Sequence, residues 1–393
     1  MSLHDVTVIG AGIGGLTAAL ALSQIRRRVT LVERRTGFTE VGAGLQLSPN
    51  VTRILGDLGL GQALARQACE PQRVVVRAIR SGGTIGEVAQ GPFMRERFGA
   101  PNYVIHRADL QTMLLDAVRA QPNIRLLMGR TLEHLDQQDG HVRLGFTRSG
   151  EQREDMASAI VIGADGAWSK ARPLIGDPRV PTFQGYVAWR ATIPRKDAPP
   201  ELAGEETGLW LGPQGHIVHY PVSAGRKLNI VAIRRQPKAA IGWSEPGECA
   251  ELLAAFAGAA TPLQGLLAAP QEWLLWSLHD LSVGALARGR VALLGDAAHP
   301  VLPFMAQGAA MAIEDAAILG SALADMPHKP VDALNRYAKL RLQRVRRIQA
   351  TARRNGRVYH AGLLAGLGRD LVMRKLGAEG MAERYSWIYG WRP

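Results

Sequence analysis

The chain has 393 residues, 47% of them hydrophobic and 21% charged, with a formal net charge of +13. That length predicts more than one domain, and no apolar run reaches the about 18 residues that a membrane span needs. Two cysteines, Cys69 and Cys249, exclude a disulfide framework and fit a reducing cytoplasm.

An apolar strand, Val6-Thr-Val-Ile-Gly10, runs into Gly10-Ala-Gly-Ile-Gly-Gly15 and then a small-residue helix from Leu16. It lacks the basic leader of a signal peptide. Strand, glycine turn and helix in that order make a dinucleotide site. Gly10 permits the tight turn, Gly12 lets backbone approach a pyrophosphate, and Gly15 lets helix and strand pack closely. The helix N-terminus offers unpaired N–H groups and partial positive charge to phosphates. A second strand, Arg28-Val-Thr-Leu-Val, ends at Glu33, eighteen positions after Gly15. That is close to the roughly 20 expected for the acid that accepts from a ribose hydroxyl.

Val41-Gly-Ala-Gly-Leu-Gln46 reads as a glycine loop, and Val51–Leu60 as a helix. Arg73–Ile79 alternates like a strand, turns at Ser81-Gly-Gly83 and returns over Ile85–Ala89 as a hairpin. Arg107 precedes a helix over Ala108–Ala120 and on local grounds is a surface charge. A strand at Ile124–Met128 and a hairpin over Leu132–Phe146 follow. The buried-type strand Ala159-Ile-Val-Ile-Gly163 ends in Asp165-Gly166, at the sheet edge where open α/β sheets bind ligands. The alternative for Asp165 is a helix cap.

From Gln184 to Leu281 short strands alternate with two helices, Cys249–Ala259 and Leu263–Ala268, and Trp189, Trp210, Trp243, Trp273 and Trp276 concentrate there. This predicts a separate antiparallel sheet with a helical cover. Within it, His216, Val218 and Tyr220 share one strand face, and Ile217 and His219 the other. A His216/Tyr220 pair can line one pocket, while His216 and His219 cannot chelate one metal. No Cys/His cluster or His-Glu-x-x-His element is present, so no metal is expected.

The strand Arg290–Leu294 then ends in Gly295-Asp296, followed by Ala-Ala-His299-Pro300, a loop through Pro303, and a helix opening at Gln307-Gly308. Arginines gather between Arg341 and Arg357, interrupted at helical spacing by Leu334, Tyr337, Leu342, Val345 and Ile348. The pattern predicts an amphipathic helix with a solvated basic face rather than a nucleic-acid surface. The Trp/Tyr-rich tail, Tyr385 to Trp391, is expected to pack on the body.

Three motifs stand in order: Gly10–Gly15, Asp165-Gly166 with Arg172, and Gly295-Asp296 with Pro300. Together they resemble the single-component flavin-dependent aromatic hydroxylases over essentially the whole chain. The resemblance implies an α/β fold: a Rossmann-like FAD-binding domain, a smaller antiparallel β-sheet substrate domain and C-terminal helices. It divides the chain into a discontinuous FAD-binding domain (residues 1–72, 99–182 and 280–330), a substrate domain (73–98 and 183–279) and a C-terminal region (331–393). It implies that Glu33 binds the adenosine ribose, that Arg107 contacts the ribityl–pyrophosphate arm, and that Asp296 bonds a ribityl hydroxyl. It adds Gly10, Gly12, Ile13, Gly14, Gly15, Arg34, Gly44, Gln46, Leu132, Asp165, Pro303, Gln307, Gly308 and Ala309 to the cofactor contacts.

Within the group, Pro303-Phe-Met-Ala-Gln-Gly308 and His216-Ile-Val-His-Tyr220 look most like 3-hydroxybenzoate 6-hydroxylases. Salicylate and 6-hydroxynicotinate hydroxylases remain alternatives. So does a flavoprotein oxidase or dehydrogenase without oxygen insertion. The implied reaction uses FAD, NADH or NADPH as electron donor, and O2. It hydroxylates a small phenolic acid through a flavin C4a-hydroperoxide. His216 is the candidate base, by its ordinary pKa of about 6.5. Gln307 fixes the substrate oxygen, and Tyr220 orients the ring or its carboxylate. No second strand-linked glycine fingerprint follows, so the nicotinamide donor is expected to bind transiently. The expected partners are the aromatic substrate and O2, in a monomer or homodimer.

Overall fold

Strand periodicity sorts the chain into two large sheets. The structure is a computed structural model that describes residues 5–38, 43–148, 152–239 and 244–393. Val41 and Gly42 of the glycine loop and Trp243 lie outside the described residues. The first sheet has six strands in the order 287–288, 291–293, 160–163, 5–9, 28–32 and 124–127. Its last five strands run parallel. They read as largely apolar runs because helices and a three-stranded antiparallel sheet (130–138, 141–148 and 152–158) cover the sheet. Ile13–Gln24, Arg107–Arg119 and Gly308–Asp325 supply much of that cover, and Val8, Leu16, Leu31, Ile160 and Ile313 are fully buried between the layers.

The second sheet has eight strands, ordered 245–247, 273–280, 182–194, 227–235, 215–222, 207–212, 73–78 and 84–89. The hairpin at residues 73–89 joins this sheet, and Thr207–Gly212 pairs with Arg73–Ala78 in parallel, the one departure from an antiparallel pattern. One face packs Trp189, Trp210, Trp273, Ile217 and Ile230 against helices Cys249–Ala255 and Thr261–Ala268. Three of the five tryptophans are therefore core. The other face turns His216, Val218, Tyr220, Val231 and Ile233 toward the first sheet's carboxyl edge. The period-two reading of residues 216–220 holds.

The expected helix at 51–60 is two helices, Pro49–Asp57 and Gly61–Gln67, because Gly59 adopts φ +82° and breaks the run. The arginine-rich segment is a 30-residue helix, Pro330–Tyr359. Its basic face is not uniformly solvated, which corrects the sequence expectation. Arg341 is fully buried and Arg344 nearly so. Their partners are Asp315 and Glu314 on helix Gly308–Asp325, also fully buried: Arg341 Nε to Asp315 Oδ1 is 2.6 Å, and Arg344 Nη2 to Glu314 Oε1 is 2.6 Å. The tail docks on the same helix, with the Arg344 guanidinium 4.5 Å from the Trp391 ring and that of Arg347 3.8 Å from Trp387. Among the described residues no helix is long and apolar enough to cross a membrane.

Burial alone would raise the Asp315 pKa, but His299 and Arg341 outweigh it and hold it at about 2. Its stabilising effect is therefore complete above the unfolded carboxyl value of about 3.9 and is lost as pH falls toward 2. Removing one member of a buried pair strands the other charge. Arg341→Met is expected to lower stability by about 3–5 kcal/mol in urea unfolding at pH 7, with the deficit shrinking below pH 4. A loss under about 1 kcal/mol at pH 7 would contradict the assignment.

Candidate active site

The glycine turn forms one end of a cavity. Gly10 has φ +101°, and a Cβ there would lie 2.5 Å from the Ala164 carbonyl oxygen. A Cβ on Gly15 would lie 1.8 Å from the Gly10 oxygen. Both positions admit only glycine, for the reasons the fingerprint gives. Gly12 differs: nothing lies within 4 Å of its Cβ position, which faces open space at the N-terminus of helix Ile13–Gln24. Gly12, Ile13 and Gly14 line the cavity there. Glu33 is nearly buried and accepts from the Ala11 N–H (2.8 Å) and the Arg35 N–H (2.9 Å), one on each oxygen. Each oxygen keeps a second lone pair, so it can still accept from a ribose. Arg34 beside it is exposed, and Leu132 is core rather than cavity lining.

The middle motif is structural in its side chains. Asp165 accepts from Ser169 Oγ (2.6 Å) and from the N–H groups of Lys170 (2.7 Å) and Ala171 (3.1 Å), so its carboxylate caps a short helix. Ala164, Gly166 and Ala167, not Asp165, line the cavity. Arg172 is buried and donates to the carbonyls of Ala167, Ala297 and Arg179, tying this turn to the third motif.

At that third motif, Asp296 lines the cavity with its carboxylate open to it. Burial raises its pKa, opposed by His299 and Arg107. Arg107 also lines the cavity, and burial lowers its pKa against the pull of Asp296. The local reading of Arg107 as a surface charge therefore fails. Gly44 and Gln46 form one side, and Pro303, Gly308 and Ala309 another, where helix Gly308–Asp325 presents its N-terminus.

The eight-stranded sheet closes the cavity. His216, Val218 and Tyr220 project from strand Gly215–Val222, and Arg190 from strand Thr182–Pro194. Burial, then the neighbouring His360, pushes the His216 pKa well below 6.5. The expectation of an imidazole near neutrality is thus corrected: the ring is neutral at pH 7. His216 Nδ1 lies 2.9 Å from His360 Nε2. Burial raises the Tyr220 phenol, opposed by Arg190.

Gln307 is placed differently from the expectation. Its Nε2 donates to Ser48 Oγ (3.0 Å), the side chain is buried, and it does not line the cavity. The loop fixes Gln307 toward helix Pro49–Asp57 because Ser48 and Asn50 form a polar cluster there.

Arg190 is the residue that sequence reading missed. Its guanidinium stands 4.2 Å from the Trp276 ring, and its Nε has no hydrogen-bond partner. Burial lowers its pKa to about 10, so it remains a cation at pH 7. An arginine on the strand face opposite the core residues Trp189 and Ala191 was the available signal. His360, at the end of a long helix, had none.

These residues fit FAD. The open Gly12 position and helix N-terminus suit a pyrophosphate, Glu33 a ribose, and the cavity-facing Arg107 and Asp296 a ribityl arm. Among the described residues no cluster of His, Cys, Asp or Glu can hold a metal.

Comparison with known proteins agrees. A family profile described as "FAD binding domain" matches residues 4–352. The chain is 34% identical to 3-hydroxybenzoate 6-hydroxylase of Polaromonas naphthalenivorans, over 98% of this chain and 96% of that one. It is 36% identical to 3-amino-4-hydroxybenzoate 2-monooxygenase of Streptomyces platensis, over 98% and 95%. Klebsiella pneumoniae HpxO, solved with FAD and uric acid, superposes with a TM-score of 0.86 at 28% identity, covering 97% of this chain and 95% of that one. The chain belongs to the FAD-binding family of single-component aromatic hydroxylases, and FAD is its cofactor.

Proposed function

We propose that the chain hydroxylates a small phenolic aromatic acid of the 3-hydroxybenzoate type, with NADH or NADPH as donor and O2 as co-substrate. One observation carries this reading. A single cavity joins the glycine turn, Arg107 and Asp296 to a sheet wall bearing the imidazoles of His216 and His279, the guanidinium of Arg190 and the phenol of Tyr220. The wall meets three needs of such a substrate. His216 accepts the phenolic proton, since a phenolate is a far better ring nucleophile than a phenol. Arg190, lacking a partner at Nε, binds the carboxylate, and Tyr220 orients it. Trp276, Val218 and Val231 give the ring apolar contact.

Bound FAD supplies the activated oxygen. The chain's own groups bind, orient and deprotonate. Gly12, Ile13 and Gly14 at the helix N-terminus would hold the pyrophosphate, Glu33 the ribose, and Arg107 with Asp296 the ribityl arm. Gln307 acts through the loop that it ties to Ser48, not by touching the substrate. The N-terminus of helix Gly308–Asp325 at the cavity would favour negative charge on a group bound there.

The first test is direct. Purified protein loaded with FAD is expected to oxidise NADH faster when 3-hydroxybenzoate is present and to place label from 18O2 in a dihydroxybenzoate. Stimulated oxidation that yields only peroxide with 3-hydroxybenzoate, salicylate and 6-hydroxynicotinate alike overturns the reading. His216→Ala is expected to cut hydroxylation by about 10²- to 10⁴-fold with the flavin spectrum unchanged. Near wild-type rates from pH 6 to 9 would rule the imidazole out as base. Arg190→Met is expected to raise KM for 3-hydroxybenzoate by about 10- to 100-fold, as for a lost charged hydrogen bond. The neutral analogue 3-hydroxybenzyl alcohol is expected to feel little of that change. Equal losses on acid and alcohol would count against a carboxylate contact.

A further inference from the structure

We infer that His360 is a positioning residue for hydroxylation: its Nε2 accepts the hydrogen on His216 Nδ1 and thereby leaves His216 Nε2 bare toward the cavity. This rests on the reading of His216 as the base.

The geometry is specific. The facing nitrogens are 2.9 Å apart, and the two rings are tilted by 34° at a centroid separation of 5.1 Å. Two neutral imidazoles at this distance share one hydrogen between them. If it sits on His360, His216 carries its own hydrogen on Nε2 and cannot accept another there. If it sits on His216 Nδ1, Nε2 has a free lone pair. Only the second arrangement lets a ring that lines the cavity act as a base. His360 itself does not line the cavity.

The surroundings hold both rings in place. Phe304 lies 5.5 Å from His216 and 5.8 Å from His360, edge-on to both. Tyr186 packs on His360 at 5.1 Å, and Tyr359 on His216 at 5.2 Å. Phe304 reaches this position because residue 356, inside the long helix, is glycine: a Cβ there would lie 2.6 Å from the Phe304 ring. Glycine favours a helix less than alanine does, so the helix gives up stability where the aromatic prop must fit.

The proton balance is simple. The substrate O–H bond breaks, its electron pair stays on oxygen, and a new N–H bond forms at His216 Nε2. His216 becomes an imidazolium whose Nδ1–H donates to neutral His360, a charge-assisted bond about twice as strong as a neutral one. The charge on His216 lies against the substrate anion formed with it, and that attraction holds it there. Burial, and then the cation of Arg235, also lower the His360 pKa, to about 4. This is the base-and-orienter arrangement of nucleophile-activating dyads, with a neutral imidazole in place of a carboxylate.

The test reads the ring directly. FAD-loaded protein labelled with 15N-histidine is examined by long-range proton–nitrogen correlation, with His216→Gln identifying the His216 signals. The expected result is a neutral His216 with hydrogen on Nδ1 and a bare Nε2. His360→Phe is expected to abolish that preference and lower hydroxylation of 3-hydroxybenzoate at least about tenfold, mainly in kcat. His360→Gln, which keeps an acceptor near the same place, is expected to restore both. Hydrogen on His216 Nε2 in the wild type, or a His360→Phe protein with unchanged tautomer and rate, overturns the proposal. The tautomer is read without substrate. A wrong choice of substrate therefore shows as inactivity with the expected tautomer, and an error about His360 as the other tautomer.

Discussion

Two adjacent carboxylates on one buried helix brace both sides of the cavity. Successive residues of an α-helix point about 100° apart, so Glu314 and Asp315 reach in different directions. Asp315 Oδ2 accepts from the Gly295 N–H at 2.8 Å and contacts His299 Nε2 at 2.6 Å, which sets the turn that carries Asp296. Glu314 accepts from Asn50 Nδ2 at 2.6 Å, and Asn50 with Ser48 engages Gln307. The long C-terminal helix neutralises both acids through Arg341 and Arg344. Buried carboxylates are tolerable only with such partners. The arginine-rich helix is therefore bound to the cofactor half by charge, although its sequence advertises only a surface.

The sheet wall meets that half closely at residue 44. The Gly44 N–H donates to Asn229 Oδ1 at 2.6 Å, and a Cβ on Gly44 would stand 2.5 Å from the Tyr220 ring. Backbone of the glycine loop thus touches side chains of the sheet with no room between them. Arg172 performs a similar service between the second and third motifs, where its guanidinium bonds three carbonyls from separate loops. Glycine fits the seam between sheet and cofactor half, and a buried arginine ties loops together within that half.

What the sequence made legible follows from range. Gly10, Gly15 and the strand–helix pair around them could be read because their constraints are largely local: a positive φ at Gly10 and the close approach of Gly15 to the Gly10 carbonyl. The face shared by His216 and Tyr220 was legible for the same reason, since strand parity needs no tertiary knowledge. The fate of Asp165 was open because capping a helix and facing a ligand both place an acid after a strand. Gln307 was misplaced because its direction depends on Ser48 and Asn50, more than 250 residues away in the chain. Arg341 and Arg344 were misjudged as solvated because a basic helix face looks the same whether water or buried acid lies opposite. His360 was invisible, since nothing in a helix terminus announces a partner 144 positions upstream.

As the proposed base, His216 meets in its burial a problem that the rest of the wall must solve. A phenol near pKa 10 and an imidazole at its ordinary 6.5 already differ by about 3.5 units, or roughly 5 kcal/mol against transfer. Desolvation of His216 widens that gap by making its charged form costlier. Transfer becomes feasible only if the products gain more from the site than the reactants do. They form an anion and a cation in contact, and Coulomb attraction in a water-poor cavity grows as the dielectric falls. The same burial that weakens the base thus strengthens the ion pair it makes. The guanidinium of Arg190, still charged, offsets the substrate carboxylate it is proposed to bind, so that the new phenolate does not form beside an unpaired anion. A solvated histidine would be a stronger base in isolation, but it would give up the low dielectric from which both of these gains come.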